Sequence, residues 1–65
     1  MEAKDWLQKG DDWCYKGEYH QAIDCFNKAI ELKPDYVEAY GNKGLILAHL
    51  GEYQQAINCY DKAIK

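Results

Sequence analysis

Residues 17–30 read GEYHQAIDCFNKAI and residues 51–64 read GEYQQAINCYDKAI, so the same phrase returns after 34 residues. Setting residues 1–31 against 35–65 gives 31 paired positions, of which 12 are identical; these include Lys9/Lys43, Gly10/Gly44, Ala22/Ala56, Ile23/Ile57, Cys25/Cys59 and Ala29/Ala63. A fixed period of this length marks a stack of like supersecondary units, each unable to bury its apolar face alone.

The unit reads as two helices. Ala3, Trp6, Gly10 and Trp13 recur at intervals of three and four, and Tyr19, Ala22, Ile23, Phe26, Ala29 and Ile30 form a second stripe of the same kind. The spacing predicts α1 over 3–16 and α2 over 18–32, with Pro34 ending the second helix because it disfavours helical geometry at Lys33. The second copy repeats this as α3 over 36–50 and α4 over 52–64. Gly17 and Gly51 fall just past α1 and α3, where a left-handed residue closes a helix before a tight turn. Gly10 and Gly44, with Ala22 and Ala56, let paired helices approach closely while aromatic side chains fill the space beside them. The candidate core is Trp6, Trp13, Ile23, Phe26, Tyr40, Leu47 and Ile57.

The two copies differ in one respect. Where α1 carries Asp11, Asp12 and Lys16, α3 carries Leu45, Ile46 and Leu50, so α1 reads as the solvated start of a stack and α3 as its interior. The flank of α2 is expected to be covered by α3, whereas the corresponding flank of α3 and α4 is expected to stay uncovered. Leu45, Ile46, Leu50, Ile57, Tyr60 and Ile64 are the candidate self-association residues there.

Composition excludes several kinds of chemistry. The 65 residues contain no Ser, Thr or Arg, so there is no phosphate-loop Lys-Ser/Thr pair and no bidentate fork for phosphate or carboxylate. Eleven acids against eight lysines give a net charge of -3, which disfavours nucleic acid and anionic membrane. The GNKG of residues 41–44 matches an RNA-binding GXXG loop only superficially, since it lies inside a predicted helix. Three cysteines without a CxxC pair indicate neither a disulfide framework nor a zinc site, and free thiols point to a reducing, cytoplasmic setting. Cys25 and Cys59 read as small apolar packing residues. Asp11 and Asp12 are helix neighbours that point apart, unlike a catalytic carboxylate pair. No catalytic, metal or cofactor site is expected.

These residues resemble the tetratricopeptide repeat, a 34-residue helix-turn-helix unit patterned W-x2-L-G-x2-Y, then A-x3-F, then P. Trp6, Gly10, Trp13, Ala22, Phe26 and Pro34 supply the first copy, and Tyr40, Gly44, Leu47, Ala56 and Tyr60 the second. Lys9 and Lys43 depart from the usual Leu. The expected fold is an all-α helical repeat, an α-solenoid of four antiparallel helices forming two helix-turn-helix units. The chain is expected to be one domain over 1–65, with repeat 1 at 3–36 and repeat 2, lacking a capping helix, at 37–65.

The resemblance implies a protein-interaction module, with a peptide or partner protein held in a concave groove lined by the first helix of each repeat. The matching positions are Lys4, Leu7, Gln8, Asp11 and Tyr15 on α1, with Glu38, Gly41, Asn42, Leu45 and His49 on α3. The alternative is that these are simply solvent-facing residues of a structural unit that stacks on a second copy or on further repeats of a longer array. One subset of the family grips an acidic C-terminal tail. Here Asn42 fits that pattern, but Leu7 and Asp11 stand where a Lys and an Asn belong, so the groove is expected to favour a mixed apolar and polar partner.

Overall fold

The computed structural model describes residues 1–64, which form four helices: α1 (Ala3–Tyr15), α2 (Tyr19–Leu32), α3 (Val37–His49) and α4 (Tyr53–Ile64). Among the described residues there is no strand. Consecutive helices pack as two hairpins, α1 on α2 and α3 on α4, and α3 also lies against α2 and α1.

Each hairpin turn is closed by a glycine in the left-handed region, Gly17 at φ 79° and Gly51 at φ 83°. In the first turn the Gly17 N–H donates to the Cys14 carbonyl at 3.0 Å and the Glu18 N–H to the Trp13 carbonyl at 2.9 Å. The second repeats the pattern, with Gly51 donating to Ala48 at 3.1 Å and Glu52 to Leu47 at 2.8 Å. This pair of bonds satisfies helix-end carbonyls while reversing the chain, and its left-handed residue favours a side chain without Cβ. Between the hairpins, Lys33 leaves helical geometry at φ -141°, ψ 89° immediately before Pro34.

Within each hairpin an aromatic ring rests on a glycine. A Cβ built on Gly10 would stand 2.7 Å from Phe26 Cδ1, and one on Gly44 would stand 2.9 Å from Tyr60 Cε1. Around these contacts the interior is made of small side chains: Ala22, Ala29 and Ala39 are fully buried, and Ala56, Cys25 and Cys59 nearly so. The Cα atoms span only 30 × 29 × 13 Å, so few positions lie far from water.

That thinness corrects the expected core. Phe26 and Leu47 are buried, but Trp6, Trp13, Ile23 and Tyr40 are half-buried. Ile57 is 51% exposed, because among the described residues no helix covers it as α3 covers Ile23. The uncovered flank also differs by one residue. Ile46, expected on it, is buried in a cluster with Ala22 and Phe26, while Leu45, Leu50, Ile57, Tyr60 and Ile64 are exposed.

The glycines yield a paired test. Gly10→Ala forces a methyl into the Phe26 ring and is expected to cost about 2 kcal/mol, overpacking outweighing the better helix propensity of Ala. Gly41 lies mid-helix, and a Cβ there would meet nothing within 4 Å, so Gly41→Ala is expected to stabilise by about 0.5–1 kcal/mol. Thermal unfolding of the two variants should move in opposite directions from the parent.

Candidate functional site

The α1–α2 hairpin and α3 enclose an open groove of about 590 Å³ lined by Gln8, Asp11, Cys14, Tyr15, Tyr19, Asn42, Leu45, Ile46 and His49. Of the residues expected to face a groove, Gln8, Asp11 and Tyr15 on α1 and Asn42, Leu45 and His49 on α3 are brought together here. Lys4, Leu7, Glu38 and Gly41 are not part of this lining. Leu7 is half-buried against the Ala22, Phe26 and Ile46 cluster. Cys14, Tyr19 and Ile46 complete the lining without having been anticipated by the repeat pattern.

Among the described residues, one side-chain hydrogen bond joins the two hairpins. Asn42 Nδ2 on α3 donates to Asp11 Oδ1 on α1 at 3.1 Å, across 31 residues of sequence. On the same wall, Gln8 Nε2 donates to Asp12 Oδ1 at 3.2 Å. A second link between the hairpins is aromatic: the Tyr19 and His49 rings stack with centroids 5.8 Å apart and planes inclined by 11°. These links fix α1 and α2 against α3, so the groove is a built feature of the fold.

Tyr15 is 92% exposed and Leu45 53%, which places an aromatic and an aliphatic side chain on opposite walls within reach of an incoming chain. The lining contains no lysine, and its one carboxylate is Asp11. Partial burial, then the neighbouring carboxylates of Asp12 and Glu38, lift the Asp11 carboxyl above the usual range, against the lowering effect of the Asn42 hydrogen bond. Burial, followed by the charge of Asp11, also raises the Cys14 thiol, which keeps it protonated and a poor nucleophile. Among the described residues no three His, Cys, Asp or Glu side chains group to hold a metal ion. No described helix is long and apolar enough to cross a membrane.

Two helix hairpins stacked in register, with the first helix of each forming a groove wall, define a helical-repeat protein. A family model of the TPR repeat matches residues 10–51, and the chain belongs to that family. It is similar to the uncharacterised protein MJ0572 of Methanocaldococcus jannaschii, with 44% identity over 45 residues covering 69% of this chain and 52% of that protein. The crystal structure of MamA matches 95% of this chain with a TM-score of 0.93 at 29% identity. That match covers 36% of the MamA chain, so the sequence spans about half of one relative and about a third of the other.

The raised Asp11 carboxyl has a defined consequence for stability. An acid whose folded pKa exceeds its unfolded value opposes folding once ionised. The penalty is absent below the unfolded value, about pH 4, grows as pH rises towards the folded value, and is complete above it. Asp11→Asn retains an acceptor for Asn42 and removes the charge. Denaturant unfolding between about pH 4 and 7 is expected to show the variant gaining on the parent as pH rises. A gain that shrinks with rising pH would contradict the assignment.

Proposed function

We propose that the chain is a protein-interaction module that holds a peptide segment of mixed apolar and polar character in the α1–α3 groove. The observation that carries this reading is the pairing of exposed Tyr15 and Leu45 across a groove whose polar groups are Gln8, Asn42, His49 and Asp11, with no lysine. Apolar side chains of a partner would bury against Tyr15 and Leu45, and its backbone amides would find hydrogen-bond partners in the carboxamides. An acidic tail would meet Asp11 with no cation in the lining to offset it. TPR proteins are typically non-catalytic scaffolds, which agrees with a groove that binds without reacting. The three free thiols support a reducing, cytoplasmic location.

A second reading concerns the outer flank, and a comparison within the molecule favours it. Tyr19, Ile23 and Ile30 are half-buried and Phe26 is fully buried under α3. Their equivalents Tyr53, Ile57, Tyr60 and Ile64 are 67%, 51%, 37% and 84% exposed. This surface suits stacking against another hairpin of the same kind, from a longer array or a second copy. A copy arriving head to tail would set Asp12 of its α1 where Ile46 of α3 is buried, so two copies would pair flank to flank instead.

Two experiments separate the readings. In the first, blocked peptides of apolar and of acidic composition are titrated against the parent and Leu45→Glu. The apolar peptide is expected to bind tighter with little salt dependence, and the substitution to weaken it about tenfold, the equivalent of roughly 1.4 kcal/mol of buried apolar contact. Tighter, salt-sensitive binding of the acidic peptide that Leu45→Glu weakens, and which is therefore bound in the groove, would overturn the groove reading. In the second, sedimentation across a hundredfold concentration range is expected to show association that Ile57→Glu abolishes. A parent that stays monomeric throughout would exclude self-pairing.

A further inference from the structure

On the other side of α3 from the groove, a second cavity of about 330 Å³ opens between α2 and α4. Lys43 and Lys62 line it, with the carboxamides of Asn27, Gln55 and Asn58 and the ring of Tyr40, and no acidic residue contributes to its wall. In a chain of net charge -3, this is a cationic site in an acidic protein. Neither lysine has a carboxylate within 4.0 Å among the described residues. The Lys62 ammonium instead lies 5.9 Å from the centre of the Tyr40 ring.

The two repeats differ in the acids beside this lysine, and the second repeat also carries Asp61, outside the cavity lining, where the first has Asn27. In the first, Lys28, the counterpart of Lys62, pairs with Glu31 at 3.9 Å, and Asp24 lies one turn before it on the same helix. The counterparts of Glu31 and Asp24 in the second repeat are Lys65 and Asn58. The Asp24 to Asn58 difference leaves a neutral hydrogen-bonding amide in the cavity wall one turn before Lys62. Lys43 is half-buried, its aliphatic stem packing along α3.

We propose that this cavity is a second binding site, independent of the groove, for a short acidic peptide segment. The two ammonium groups take its side-chain carboxylates as point charges, and the three carboxamides, each both donor and acceptor, pair with its backbone N–H and C=O groups. A free carboxylate ion uses the lysines alone, whereas a peptide uses both sets.

The test is a titration with blocked hexaglutamate followed by amide NMR. The side-chain NH2 signals of Asn27, Gln55 and Asn58 are expected to shift saturably while those of Gln8 and Asn42, in the groove, stay in place. Lys43→Gln with Lys62→Gln should weaken binding at least tenfold, and replacing both lysines by Arg should restore most of it, which separates lost charge from lost fold. Raising the salt should weaken the parent complex, since the attraction is between charges open to solvent. Any of four results would overturn the proposal: no saturable shift, unchanged affinity in the double Gln variant, hexaglutamine binding as tightly, or free glutarate binding as tightly. Shifts centred on Gln8 and Asn42 would place acidic peptides in the groove and overturn it as well.

Discussion

The contact on which the structure depends is an aromatic ring lying where a Cβ would be. Phe26 occupies that place at Gly10 and Tyr60 occupies it at Gly44, and in each hairpin the contact lets the two helices approach closely, with buried alanines beside it. It also sets rotation. With one residue per 100° of helix, fixing Gly10 against Phe26 determines which way Asp11 and Tyr15 face, and fixing Gly44 against Tyr60 does the same for Leu45 and His49. The groove is thus a consequence of packing inside each hairpin: the inner residues are pinned, and the wall residues follow from the helical turn.

What differs between the two hairpins is their cover. The same contact leaves Phe26 fully buried and Tyr60 37% exposed, because α3 lies over the first ring and no described element lies over the second. Ile46 belongs to the covered side, filling the space above Ala22 and Phe26 that a charged residue could not occupy without a partner. At the corresponding place α1 carries Asp12, which is exposed. Of the three differences Asp11/Leu45, Asp12/Ile46 and Lys16/Leu50, the second is the one whose apolar member is buried in the interior.

This explains which parts of the molecule were legible in the sequence. The period, the four helices and both glycine turns follow from local constraints, and a local constraint is written into the residues that obey it. The expected groove positions rested on the resemblance to the tetratricopeptide repeat and not on helical phase: Gln8, Asp11, Tyr15, Asn42, Leu45 and His49 line the cavity, whereas Lys4, Leu7, Glu38 and Gly41 do not. Burial was less legible because it belongs to the neighbour as much as to the residue: Ile23 and Ile57 occupy equivalent places in nearly identical phrases, yet Ile23 is half-buried and Ile57 exposed. Tyr19 escaped notice as a groove residue because it sits on α2 and enters the site only through its stack with His49. Leu7, on the expected wall, packs instead against the cluster of Ala22, Phe26 and Ile46, which α2 and α3 build together and the pattern of α1 alone does not reveal.

The two cavities share α3 and present opposite charge. The groove side of the helix carries Asn42, Leu45 and His49 and faces Asp11, while the other side carries Tyr40 and Lys43 and faces Lys62. The diameter of a helix with its side chains, about 10–12 Å, separates the two sides, and charges open to solvent on each are screened from the other by salt over a length of about 8 Å. Each cavity therefore has its own local potential in spite of the small size of the molecule. The net charge of -3 describes neither, because it averages a wall with an acid and no lysine and a wall with two lysines and no acid. In so thin a fold, a single helix is enough to hold two surfaces of different chemistry apart.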